Sequence, residues 1–313
     1  MRLMKVFGKL LSGAAIAALV VSGLVGVLGL SAGSIAPGAA AVASPATDSV
    51  LSGRSGLLGL SGNLRAISWA SASRTASPLA ALVPALAGRG PGLIPTGVKS
   101  PEGEPILLFR PRPLSEKAGS TWQGYRIGYW PGERPGARPP RYPLPEGFLE
   151  VTPDNQDLPL STRFRVRDFL THDQASVWPK VLVIQLPLLD KLELIADELA
   201  ALGRPPAVRV MSGFRTPQYN ALGVGPRGGR ASDSRHIYGD AADIYVDADG
   251  DGRMDDLDGD RRVTVADARW LAGVVEQVEA TYPALTGGIG IYRANAVHGP
   301  FVHVDTRGTR ARW

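Results

Sequence analysis

Hydrophobic and polar positions divide the chain into regions of different pattern. Leu10 to about Ala32 is an uncharged apolar run behind a basic start carrying Arg2, Lys5 and Lys9. From Gly33 to about Lys99 apolar residues are scattered among Ala, Gly, Ser and Pro without a period, as in a low-complexity tether, although Leu79 to Leu86 has the makings of a short helix. Residues 100–159 hold two short extended stretches, Ile106 to Phe109 and Trp122 to Tyr129. Prolines at 111, 113, 131, 135, 139, 140, 143 and 145 rule out long regular elements there. The segment reads as a small β accessory module or an ordered wrap on the rest. Clear periods begin near Leu160. Pro187 opens a helix in which Leu188, Leu192, Ile195, Leu199 and Leu202 recur at spacings of four and three, and Gly203 stands where a C-terminal cap belongs. Ala207 to Met211 predicts a strand, Thr216 to Leu222 a short helix, Gly223 to Ser232 a loop and Ala241 to Val246 a second strand. Leu271, Val274, Val275 and Val278 mark a helix that ends before Pro283, and strands at Gly288 to Tyr292 and Phe301 to Thr306 follow. This order predicts an α+β domain over 160–313, a small, mainly antiparallel sheet with flanking helices.

The start of the chain has the form of an export signal, with Ala41-Val42-Ala43 as a cleavage site. The apolar run is also long enough for an uncleaved anchor, so residues 1–43 are expected to be a signal peptide or a membrane anchor, followed by a linker over 44–99. The expected location is outside the cytoplasm, in the periplasm or cell envelope. With no cysteine among 313 residues, disulfides, thiol nucleophiles and Cys-based metal sites are excluded, and any metal must be held by His, Asp or Glu. A net charge of +5 comes from arginines interleaved with aspartates, not from a basic stripe with aromatic residues, and this speaks against nucleic acid as a partner.

Three of the four histidines, His236, His298 and His303, fall in the last 78 residues. His236 and Asp243 lie seven apart, one on a loop and the other on the strand it enters, and His303 lies on a late strand between Val302 and Val304. Two His and one Asp would hold zinc with a fourth position open, the pattern of a catalytic ion. A structural reading has His236 capping its loop, Asp243 paired with an arginine and His303 satisfied in the core. Spacing alone leaves both open.

Ser234 to Asp243 has the form S-x-H-x-x-G-x-A-x-D, upstream Ser212-Gly213-Phe214-Arg215-Thr216 has the form S-G-[FY]-R-[ST], and Gly288 to Tyr292 with Phe301 to Asp305 closes the chain. In these motifs the chain resembles the zinc D-Ala-D-Ala carboxypeptidase family, peptidoglycan peptidases that include the VanX-type dipeptidases. The resemblance covers about residues 160–313. It implies zinc on His236, Asp243 and His303, and Arg215 as the group that stabilises a developing oxyanion or grips a substrate carboxylate. Many relatives carry an acid three residues before the last zinc histidine, where this chain has Pro300. His298 and Asp305 are the candidates for the catalytic base, with Asp305 also placed to orient a zinc ligand. The implied function is an exported zinc peptidase acting on peptidoglycan stem peptides, with a noncatalytic wall-binding module as the alternative.

A second cluster interrupts this domain at 247–267. Asp247, Asp249, Asp251, Gly252, Asp255 and Asp258 follow an EF-hand calcium loop at positions 1, 3, 5, 6, 9 and 12, except that Asp replaces the final Glu. A dockerin-like loop overlaps it, with Asp256, Asp258, Asp260, Thr264 and Asp267 at positions 1, 3, 5, 9 and 12 and Arg261 in place of its glycine. Eight Asp against three Arg would repel one another in a compact turn, so calcium is expected there as a structural ion.

Overall fold

The computed structural model describes residues 58–74, 77, 79–226 and 229–313. The predicted signal or anchor at 1–43 and the beginning of the predicted linker lie outside these residues. Among the described residues from Leu58 to Lys99 the chain forms strands and helices, where the sequence predicts a linker. The elements there are β1 (Ala66–Ser68), α1 (Trp69–Ala72), α2 (Val83–Leu86) and β2 (Gly92–Lys99). With β3 (Pro105–Arg110) the strands make a sheet of order β1-β3-β2, β1 parallel to β3 and β2 antiparallel. Ile67, Leu79, Ile94, Ile106 and Leu108 bury a small core of their own under it. The composition is poor in charge, yet the few apolar residues are spaced well enough to close this core.

The proline-rich part is a wrap, not a separate module. Its elements are β4 (Arg112–Pro113), the hairpin of β5 (Thr121–Trp122) and β6 (Tyr125–Arg126), and β7 (Gly147–Val151). β7 pairs with both β4 and β8 (Lys180–Leu182), so one sheet crosses the expected boundary at 159/160. Tyr125, Ile127, Trp130 and Phe148 lie in the same hydrophobic core as Leu188, Ile244 and Val304.

The remaining elements are α3 (Leu186–Ala201), β9 (Val208–Ser212), α4 (Pro217–Ala221), β10 (Ala241–Val246), α5 (Val265–Thr281), β11 (Gly288–Tyr292), β12 (Phe301–Asp305) and β13 (Ala311–Arg312). They match the predicted order. The sheet runs β13-β11-β12-β10-β9 and is antiparallel except between β11 and β13. α5 packs against β11 and β12, and α3 packs against α5. β10 and β12 sit in the middle of this sheet, buried along their length, and carry Asp243 and His303 directly opposite each other. Among the described residues no helix is long and apolar enough to cross a membrane.

Candidate metal centre

His236 reaches the sheet from a tight 3-10 turn, Arg235–Tyr238, that feeds β10. Gly239 ends the turn at φ +72, and a Cβ there would stand 2.4 Å from the carbonyl oxygen of Val183, so both conformation and space require glycine at this motif position. The wrap braces the same turn. The buried Trp130 indole donates to the Ile237 carbonyl at 2.6 Å, next to the metal-site histidine. Nothing in the local sequence around Trp130 announces this contact across more than a hundred residues.

The turn and the two strands bring three atoms together. His236 Nε2 lies 3.2 Å from Asp243 Oδ1 and 3.1 Å from His303 Nδ1, and the last two are 3.0 Å apart. All three side chains are buried. A tetrahedral zinc with bonds of about 2.0–2.1 Å sets its ligand atoms about 3.3–3.4 Å apart, close to this triangle. The outer partners fix which ring nitrogen faces inward. His236 Nδ1 is 2.7 Å from the Gly213 carbonyl, which only accepts, so it carries the proton and Nε2 presents a lone pair. His303 Nε2 is 3.1 Å from Asp305 Oδ2, and donation to that carboxylate leaves Nδ1 facing inward as an acceptor. Three acceptors within 3.2 Å of one another repel unless a cation lies among them. The residues therefore fit zinc.

The charges around the triangle agree. Burial would raise the Asp243 carboxyl, but His236, His303 and Arg215 outweigh it and hold the group well below its ordinary range. Burial lowers His236 and keeps it neutral. Burial also works against a charge on His303, yet Asp243 and Asp305 outweigh it and raise that imidazole. Two carboxylates thus draw positive charge onto the centre of the site.

The remaining predicted residues separate. Arg215 is brought to the centre: its guanidinium bonds Asp243 Oδ2, and its Nε donates to Ser212 Oγ at 2.9 Å. Asp305 is buried with both oxygens committed, to His303, to Arg307 and to the Gly288 N–H at 2.8 Å. Burial would raise its carboxyl, but the hydrogen bonds from His303 and Arg307 hold it far below the carboxylate range. With both oxygens so committed, Asp305 is placed for the second of the two roles expected of it from the sequence, orienting His303. His298 is half-buried on the loop before β12. Asn295 Nδ2 donates to its Nε2 at 2.8 Å, its Nδ1 is 2.8 Å from the Gly299 carbonyl, and its ring meets Phe301 edge-on. None of these contacts reaches the triangle.

The acidic segment forms two groups, Asp247 with Asp249 and Asp251, and Asp256 with Asp258 and Asp267. They are one local structure repeated at an offset of nine residues. Asp247 accepts from the N–H groups of Gly250 and Gly252, and Asp256 accepts from those of Gly259 and Arg261. Arg261 holds φ +66 where its counterpart is Gly252 at +79. Asp255 accepts from Ala248 N and Asp260 from Arg262 N, while Asp267 turns back to cap Leu257 and Thr264. The carboxylates hold the backbone turns, and calcium there stands as an expectation of the sequence alone.

Residues 166–257 match the family described as Peptidase M15. The matched segment contains Arg215, His236 and Asp243 and ends before His303, so the third ligand rests on the geometry above. No curated protein and no solved structure matches the chain.

Proposed function

We propose that the chain is a zinc peptidase that hydrolyses peptide bonds in peptidoglycan stem peptides, of D-Ala-D-Ala carboxypeptidase or endopeptidase type, and that it works outside the cytoplasm. The observation that carries the zinc reading is the triangle of three inward-facing acceptors, each His held by an outer partner, two of whose members, His236 and Asp243, lie in the segment matching the Peptidase M15 family. The peptidoglycan substrate and the location rest on the sequence resemblance and on the basic, apolar N-terminus.

His236, Asp243 and His303 would hold the ion, and zinc bound there supplies a Lewis acid that acidifies water and polarises a carbonyl. Gly213 and Asp305 keep the two imidazoles in the required tautomers. Arg215, anchored by Ser212 and Asp243, keeps further N–H donors for the oxygen that becomes negative as the peptide carbonyl is attacked. His298 takes the role of proton carrier. That role rests on its place in the sequence on the loop before β12; its ring nitrogens bond Asn295 and Gly299.

The test is digestion of purified peptidoglycan by the full chain and by His236→Ala, with products identified by mass spectrometry and zinc measured in both. We expect one zinc per wild-type chain and soluble fragments that disappear in the variant; the fragment masses name the bond. Zinc bound without products from several wall types would instead assign a noncatalytic wall-binding module.

A further inference from the structure

The row of the sheet that carries the metal triangle extends to both sides of it. Ser212 on β9, Asp243 on β10, His303 on β12 and Gly290 on β11 are successive register partners. Arg312 of β13 pairs with Ile289, which sets Trp313 beside Gly290. Gly290 has no side chain to give to the row, and the Trp313 indole occupies that space: a Cβ on Gly290 would stand 2.5 Å from Trp313 Nε1. The indole and the His303 ring have centroids 5.2 Å apart.

Trp313 is fixed in place but not covered. Its Nε1 donates to the Tyr292 hydroxyl at 2.8 Å, and the Arg307 guanidinium that grips Asp305 lies 5.5 Å from its ring centroid. Even so, the residue is 51% exposed. Tyr292 in turn stacks on Phe301 with centroids 4.5 Å apart, so an aromatic surface continues from Trp313 along β11 and β12. The opposite end of the row is cationic, at Arg215. A large ring held rigidly yet left in water beside a reactive centre offers contact area at little conformational cost, the property of a recognition residue.

We infer that Trp313 contacts the substrate, its exposed indole receiving the aliphatic part of the peptide residue on the His303 side of the scissile bond, away from Arg215. The inference rests on the peptidase reading above. A purely structural role, shielding His303 from water, would show in zinc affinity and not in substrate affinity.

Steady-state kinetics of the full zinc-loaded chain on a synthetic stem peptide separate the two, with zinc affinity measured by chelator competition. Trp313→Ala is expected to raise KM about tenfold, the size of one lost aromatic contact, with kcat and zinc affinity changed less than about twofold. Trp313→Phe should restore part of the loss. Gly290→Ala, which displaces the ring without removing it, should raise KM in the same direction. If Trp313→Ala does not fold, the latter two variants decide. An unchanged KM overturns the inference, and so does a rise matched by an equal loss of zinc affinity. A wild-type chain that cleaves no stem peptide overturns the peptidase reading itself, before any variant is compared.

Discussion

Asp305 decides which ring nitrogen His303 turns toward Asp243 and His236. Its carboxylate is the acceptor that keeps the proton on His303 Nε2, and Arg307 and the Gly288 N–H hold the carboxylate still. Asp305→Asn keeps the shape but loses the charge, and its amide, once turned to accept from His303, presents an NH2 to Arg307. Zinc affinity should fall about 10- to 100-fold, measured by chelator competition, while the circular dichroism of the fold is retained. Unchanged affinity would show that His303 is oriented by the strand alone. His236 and Asp243 were legible in the sequence because their motif is local, while His303, sixty residues beyond Asp243, was legible only through the resemblance of the closing strands. The job of Asp305 was half legible: alternation along β12 puts it on the face of His303, but which atom it meets depends on β11 and Arg307. Trp313 left no signal except the Gly-Ile-Gly pattern in β11, where two glycines in a strand mark a close approach by something else.

At the scale of elements, α3 shows where periodicity misleads. Its leucines predict one buried face, whose edge Lys191 shares, three after Leu188 and four before Ile195, while Asp190 and Glu193 fall on the opposite side, where solvent is expected. All three are buried. Asp190 accepts from the N–H groups of Leu60 and Ser61, Glu193 pairs with Arg163, and Lys191 donates to Glu279 on α5 at 2.5 Å and to the main-chain oxygen of Asp305 at 2.8 Å. The helix is covered on both sides because chain from before and after it packs there, which no window within the helix reveals. Lys191 ties both long helices to the strand that presents His303. Lys191→Met should destabilise the protein by about 3–5 kcal/mol in urea unfolding, since it leaves the buried Glu279 and the Asp305 carbonyl without this donor. Adding Glu279→Leu should recover part of the loss. A Lys191→Met chain as stable as wild type would mean that Arg312, which also pairs with Glu279, satisfies the carboxylate alone.

Over the described residues, the protein has a main core with a candidate metal site on its central sheet, a smaller core under the β1-β3-β2 sheet, and a proline-rich wrap that helps to hold the site. The α+β class and the order of elements after residue 160 followed from local periods. The pairing of the wrap did not, because its strands are two to five residues long, interrupted by proline and, apart from the β5–β6 hairpin, paired with distant partners. Trp130 gives that wrap a function: it ties the turn bearing His236 to the rest of the core. The proposed activity depends on the His236, Asp243 and His303 triangle being a catalytic zinc centre. The measurement that tests it most directly is hydrolysis of a stem peptide by the metal-stripped full chain as zinc is added back, in wild type and in His303→Ala. Activity should rise in proportion to zinc, saturate at one equivalent and be absent from the variant at every zinc concentration in that range. Hydrolysis that is independent of zinc, or that survives in His303→Ala, would contradict the claim.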